Sequence, residues 1–223
     1  MPKNCLGQIK ILMLDKDSIL KEVSRYYTAK VLSFGATPAG VDWNSEESQK
    51  LRFSQLLKII DNEGGFTIND FGCGYGALTD ELIKKYQSFS YVGFDVSPEM
   101  IKKAEQIYSS HENINFFNAS KPRISADYSI ASGIFNVMLK NDSKSWKSYI
   151  EDTLGLINDY SKKGFAFNLL TDYSDKDKKE EKLYYASPED IFKFCKKSFS
   201  RNVSLLHDYG LYEFTILVKK DVE

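Results

Sequence analysis

The stretch Asp70-Phe71-Gly72-Cys73-Gly74-Tyr75-Gly76, residues 70–76, sets three glycines at alternate positions behind a carboxylate, directly after a short apolar run. A strand that ends at Phe71 and turns into a helix through residues without a Cβ lets a ligand approach the backbone closely. The free N–H groups and the positive end of the following helix face the same place. Three readings of the stretch are open. As a glycine-rich turn it serves close strand-to-helix packing and nothing more. As G-x-G-x-x-G/A, with Ala77 in the third place and Asp95 on a ribose, it is a dinucleotide fingerprint. In the third reading Asp70 decides the ligand's charge, because its carboxylate repels a pyrophosphate and attracts an amino-acid-like cation.

Working outward, the chain from Phe66 alternates short β-prone runs with helical stretches. FTINDF (66–71), a helix from Ala77, FSYVGFDV (89–96), a helix from Pro98, INFF (114–117) and ADYSIASG (126–133) follow one another. A helix over 145–159 and GFAFNLL (164–170) continue the series. The alternation predicts a parallel sheet covered by helices, and Pro98 suits a first helical turn, where its missing N–H costs nothing. After a helix over 188–197, VSLLHDYG (203–210) and LYEFTILVKK (211–220) predict an antiparallel pair joined at Gly210. Upstream, apolar spacing predicts a helix over 18–34 and another over 44–60. Asn44 and Glu47 would form the capping box of the second, Leu51, Phe53, Leu56, Leu57 and Ile60 its buried stripe, and the 62–65 cluster its end. The charged run 171–182 reads as an exposed loop, long enough for a mobile lid.

Thirty Lys plus Arg against 31 Asp plus Glu leave a net charge of -1, so no general attraction to phosphate backbones exists and a nucleic-acid partner is disfavoured. Cys5, Cys73 and Cys195 are too few and scattered for a disulfide framework or a zinc site, and are expected as reduced thiols with no metal. The apolar patch Ile11–Leu14 is followed at once by Asp15 and Asp17, which argues against a signal peptide or membrane span and for the cytoplasm.

DFGCGYGAL followed by YVGFDVSPEMIKKA resembles the first two motifs of class I S-adenosylmethionine-dependent methyltransferases: acid-x-Gly-x-Gly-x-Gly, then an acid closing the second strand. The resemblance extends more loosely over 66–219. It implies a Rossmann-like, seven-stranded, mostly parallel sheet with a C-terminal antiparallel pair, helices on both faces and an N-terminal helical cap. The chain is then one methyltransferase domain, with residues 1–63 as cap and 64–223 as the α/β core that binds the cofactor. S-adenosylmethionine is the implied cofactor and S-adenosylhomocysteine the product. Gly72 and Gly74 would pass under the methionine part and ribose, Asp70 would meet the amino group, and Asp95 would accept from both ribose hydroxyls, with Val96 beside it. Where the family often has a third-motif acid for the adenine amino group, this chain has Asn118-Ala119-Ser120, so Asn118 or Ser120 must substitute. Ser132, Gly133 and Phe135 would stand at the pocket mouth. Ser-Gly-Ile-Phe differs from the Asn/Asp-Pro-Pro-Tyr-like sequence of enzymes that methylate base amino groups.

Methyl transfer from a sulfonium is an in-line displacement that positioning can largely accelerate, onto an O or N nucleophile of a small molecule such as a sugar, metabolite or natural-product intermediate. Only a hydroxyl acceptor calls for a base. The candidates are His207, Asn136, Asp172 and Tyr173, none compelling; His111 reads as exposed. On the cap, Tyr26, Tyr27, Lys30, Trp43 and Arg52 are candidates for substrate or lid contacts, since aromatic groups can face a sulfonium and Arg52 can pair a carboxylate. The competing views are a non-catalytic S-adenosylmethionine-binding protein and a nucleotide-dependent oxidoreductase. Oligomeric state is not legible.

Overall fold

The computed structural model describes residues 4–61 and 64–221, with side chains from residue 16 onward. Two helices, α1 (Asn4–Phe34) and α2 (Glu46–Leu56), precede the sheet. The alternating part runs β1 (Phe66–Phe71), α3 (Leu78–Lys85), β2 (Phe89–Asp95), α4 (Pro98–Ile107), β3 (Ile114–Asn118), β4 (Ala126–Ala131), α5 (Ser143–Asp159) and β5 (Ser161–Thr171). A two-residue strand β6 (Tyr185–Ala186), α6 (Pro188–Ser198), β7 (Asn202–Leu206) and β8 (Glu213–Lys219) complete it. The sheet order is β3-β2-β1-β4-β5-β8-β7, with β6 on β5. β8 runs antiparallel to both β5 and β7, and the pairs among β1 to β5 are parallel. The strand order reverses between β1 and β4, so a crevice opens at their carboxyl ends, where sheets of this kind hold ligands.

Both faces of the sheet are covered, so every residue of β1 except Thr67 is buried, the polar Asn69 and Asp70 included. On one face Leu56, Ile59, Leu78, Leu82, Ile101 and Ala104 pack on Ile68, Tyr91, Tyr128 and Ile130. On the other, Trp146, Ile150, Leu154, Ile157 and Ile191 pack on Phe165, Phe167, Phe214 and Ile216. Helix α1 crosses the carboxyl edge between these layers. Lys16 pairs with Asp152 of α5 at 2.8 Å, Ile19 joins the α5 cluster, and Val31 packs against Tyr75 and Met100.

The elements depart from the sequence expectations in five places. The first helix begins at Asn4 rather than 18, and the side chains of Cys5 and of Ile11–Leu14 lie outside the described residues. The second helix is capped by Ser45, whose hydroxyl accepts from Ser48 N at 3.1 Å, not by Asn44 with Glu47. It becomes a 3-10 turn at Leu57–Ile59, well short of the 62–65 cluster, of which 62–63 are not described. Leu51 of its expected stripe is only half-buried, whereas Phe53, Leu56, Leu57 and Ile60 are buried. The strand expected over 203–210 stops at Leu206, which leaves His207 outside it. Cys73 and Cys195 are free thiols, buried in the fold. Among the described residues, no helix is long and apolar enough to cross a membrane, and no cluster of His, Cys, Asp and Glu is arranged to hold a metal.

Gly93 interrupts an otherwise aromatic strand because the Cys73 thiol and the Phe116 ring occupy its side-chain space: a Cβ would fall 2.8 Å from each. Gly93→Val is therefore expected to destabilise the fold by about 1–3 kcal/mol through overpacking, read as a lower urea midpoint at unchanged m.

Candidate functional site

The loop after β1 is stitched to the end of β2. Gly72 N and Cys73 N both donate to the Phe94 carbonyl, at 2.7 and 3.0 Å. One residue on, the Asp95 carboxylate takes Gly74 N on Oδ2 at 2.9 Å and Ser97 N on Oδ1 at 2.8 Å. Gly72 sits at φ +68°, and a Cβ there would lie 2.2 Å from the Ile134 side chain, so both conformation and space demand glycine. The bend opens onto a cavity that spans about 1020 Å³ of non-atom space, its mouth included.

Asp70, Gly72, Gly74, Asp95 and Val96 line this cavity from the β1 and β2 side, Ala119 and Ser120 from the end of β3, and Ser132, Gly133 and Ile134 from the end of β4. Asp70 is 2 % exposed and, among the described residues, its carboxylate receives only the Tyr91 hydroxyl, at 2.7 Å. Burial pushes its carboxyl up to about 7, against that hydrogen bond and with the help of the Asp95 charge. Burial likewise lifts the half-buried Asp95 to about 6, against the Ser97 and Gly74 N–H groups. Among the described residues, no Lys, Arg or His lines the cavity. The buried Ser132 hydroxyl oxygen has no hydrogen-bond partner among the described residues. Two acids with no counter-ion among the described residues and one orphaned hydroxyl make an acceptor set suited to a cationic ligand rich in N–H and O–H groups.

The outer wall comes from the N-terminal segment. Leu20, Val23 and Tyr27 of α1, Trp43, and Gln49 and Phe53 of α2 face the glycine bend, with Tyr75, Tyr149 and Thr153 beside them. Helix α1 is clamped to the β2–α4 corner: Ser24 donates to the Val96 carbonyl at 2.7 Å, and the Thr28 and Ser97 hydroxyls are 2.7 Å apart. The next loop is held from outside the cavity by Asp42, which takes the Tyr26 hydroxyl and Lys30 Nζ, both at 2.6 Å. Tyr26 and Lys30 thus brace the cap without lining the cavity.

Several candidates stand elsewhere. Phe135 is fully buried and packs edge-on against Phe167, so it belongs to the core, not the mouth. Arg52 stands behind Trp43, 4.0 Å from its ring centroid, and its Nε is already paired with Glu213 at 2.6 Å. Asn136 is a buried brace whose amide meets Leu170 N and Glu213. Asp172 and His207 are exposed, and Tyr173 is 65 % exposed with its hydroxyl on Glu189. None of these four borders the cavity, and neither does any residue of the 171–182 segment, which is exposed except at Thr171, the end of β5, and Ser174. His111 is half-buried beside Tyr108. Asn118 lines a neighbouring open cleft, and its amide is engaged with the Asp95 carbonyl at 2.9 Å. Sequence reading passed over Gln49, Asn168 and Glu213. The last two carried one signal, a polar residue within an apolar strand run.

Residues 68–151 match a family described as "Methyltransferase domain". Over 164 residues, 74 % of this chain and 99 % of the relative, the chain is 49 % identical to "Putative methyltransferase Rv1506c" of Mycobacterium tuberculosis. It is 27 % identical over 152 residues to a malonyl-[acyl-carrier protein] O-methyltransferase of Paenibacillus sp., of which it spans 54 %. Among solved structures it is similar to the DhpI-SAM-HEP complex, with a TM-score of 0.64 over 91 % of this chain and 98 % of that one at 13 % identity. It is also similar to SAM-bound magnesium protoporphyrin IX methyltransferase from Synechocystis PCC 6803, with a TM-score of 0.55 over 78 % and 80 % at 15 % identity. At such identities these structures speak for the fold.

The raised Asp70 and Asp95 values mean that the folded state holds these protons more tightly than the unfolded chain. Their contribution to stability is therefore intact below about pH 4, the unfolded carboxylate range, and is lost as pH rises towards 7. Asp70→Asn removes the larger share, so its melting temperature should gain on that of the wild type between pH 5 and 7.5. A constant difference across that window would contradict the assignment.

Proposed function

The chain belongs to the class I S-adenosylmethionine-dependent methyltransferases, and on that premise we propose that it methylates an O or N nucleophile of a small molecule. Its cofactor is S-adenosylmethionine, which supplies an electrophilic methyl group on a sulfonium. The observation that carries the acceptor reading is the cap. Tyr27, Trp43, Gln49 and Phe53 close over the glycine bend, which leaves a space of small-molecule size, and the net charge of -1 gives the chain no general attraction to a nucleic-acid backbone.

In this reading Asp70 meets the cofactor's amino group, as its buried carboxyl has no counter-ion among the described residues. Asp95 receives the ribose hydroxyls on the lone pairs that Gly74 and Ser97 leave free, two of about four on a carboxylate. Gly72 and Gly74 give the close approach, Val96, Ala119 and Ser120 flank the base, and Ser132 and Gly133 stand at the methionine end. Asn118 gives one Nδ2 hydrogen to the Asp95 carbonyl, so its Oδ1, the Ser120 hydroxyl and backbone groups are left for the adenine edge. No imidazole lines the cavity, so the acceptor is best matched by a nucleophile that loses its proton to solvent or ionises unaided. A carboxylate acceptor gains nothing from Arg52, whose charge is committed to Glu213. We take residues 1–63 as the cap and 64–223 as the core of one domain, placed in the cytoplasm.

Incubation with methyl-labelled S-adenosylmethionine and a fractionated cell extract tests the acceptor. Label is expected in low-mass metabolites, and label confined to RNA or protein would overturn the proposal. Asp95→Ala should weaken S-adenosylmethionine binding by about 1–3 kcal/mol in calorimetry, and Gly72→Val should abolish it. Unchanged affinity in either variant would remove that residue from the site.

A further inference from the structure

A buried polar cluster behind the cavity wall is left unused by the chemistry above. Glu213, the first residue of β8 and 1 % exposed, receives three donors. Arg52 Nε at 2.6 Å and Asn168 Nδ2 at 2.8 Å reach Oε2, and Asn136 Nδ2 at 3.2 Å reaches Oε1. Two of these donors lead to the cavity. The Arg52 guanidinium lies over the Trp43 ring, and Nε makes its only hydrogen bond among the described residues, with Nη1 buried and unpartnered. Asn168 turns its Oδ1 to Gly133 N at 2.8 Å. Trp43 and Gly133 then meet, since a Cβ on Gly133 would fall 2.6 Å from the indole, and Gly133 holds φ +73° to make that room. Both wall residues are thus referred to one carboxylate, 161 positions from Arg52.

We propose that Glu213 is a positioning residue of the reaction site: through Arg52 and Asn168 it holds the Trp43 ring against the Gly133 bend. This rests on the reading of the cavity as the methyl-transfer site. An acceptor-only carboxylate satisfies three N–H donors, whereas the isosteric glutamine brings two N–H groups of its own and must leave at least one donor unmatched. Trp43 lines the cavity and Glu213 does not, so any effect of Glu213 on a ligand passes through the wall.

The test is a double-variant cycle on S-adenosylhomocysteine affinity with Glu213→Gln, Trp43→Phe and their combination, together with tryptophan emission. Trp146 is fully buried and gives a constant background. Glu213→Gln is expected to bind S-adenosylhomocysteine about five- to tenfold more weakly and to make Trp43 more readily quenched by acrylamide. The combined variant should lose clearly less than the product of the two single losses. Wild-type affinity and quenching in a folded Glu213→Gln protein, or fully multiplicative losses, would overturn the proposal. If Glu213→Gln does not fold, Arg52→Lys replaces it in the same cycle, because it keeps the charge pair and removes the flat face on Trp43. Failure of the wild-type protein to bind S-adenosylhomocysteine would overturn the underlying reading of the cavity as well, whereas multiplicative losses overturn only the role of Glu213.

Discussion

The carboxyl end of β2 organises the site. Asp95 is bound there from three directions: its side chain accepts from Gly74 N and Ser97 N, and its carbonyl accepts from Ala119 N and the Asn118 amide. With the two hydrogen bonds that Gly72 and Cys73 make to Phe94, the loops after β1, β2 and β3 share one anchor. A glycine-rich bend loses much conformational entropy on folding. These bonds offset that cost and hold the bend open, so that the space above Gly72 and Gly74 is preformed.

That anchor carries an electrostatic cost. Asp70 lies deep beside Tyr91, Asp95 stands at the lip, and no cation among the described residues lines the cavity with them. Burial without a counter-ion favours the neutral acids and makes their ionised forms depend on what enters. A cationic aminoacyl nucleoside supplies both the missing charge and the missing hydrogen-bond donors. Local destabilisation and ligand preference therefore have the same origin, as is common where titratable groups are displaced from their usual range.

The opposite wall is assembled from distant parts of the chain. Helix α1 is pinned to Val96 and Ser97 by hydroxyls, the next loop to α1 by Asp42, and α2 to β8 by the Arg52–Glu213 pair. A buried ion pair contributes little net stability but defines geometry, since a separated guanidinium and carboxylate would each be stranded away from water. Here it fixes a ring, Trp43, on the glycine bend after β4. The antiparallel strand that closes the sheet thereby takes part in shaping the cavity.

Much of this was legible in the residues alone. Strand–helix alternation indicated the sheet class, because backbone periodicity and the demand for residues without a Cβ are local properties; the spacing of Gly72, Gly74 and Gly76 behind Asp70, with Asp95 closing the next strand, pointed to the cofactor only through the family these motifs resemble. The two N-terminal helices also showed in their apolar spacing, though the first is longer, the second is capped one residue later, at Ser45, and its buried face includes Gln49, Arg52 and Gln55. Which side chains reach the cavity was a tertiary matter. Phe135 and Asn136 follow a strand end and look well placed, yet the chain turns them into the core, while Gln49 and Trp43 arrive from the cap. Arg52 reads as a free cation until Glu213 is brought to it from the last strand. Charge pairing across 161 positions depends on how the layers pack, and no local pattern encodes it.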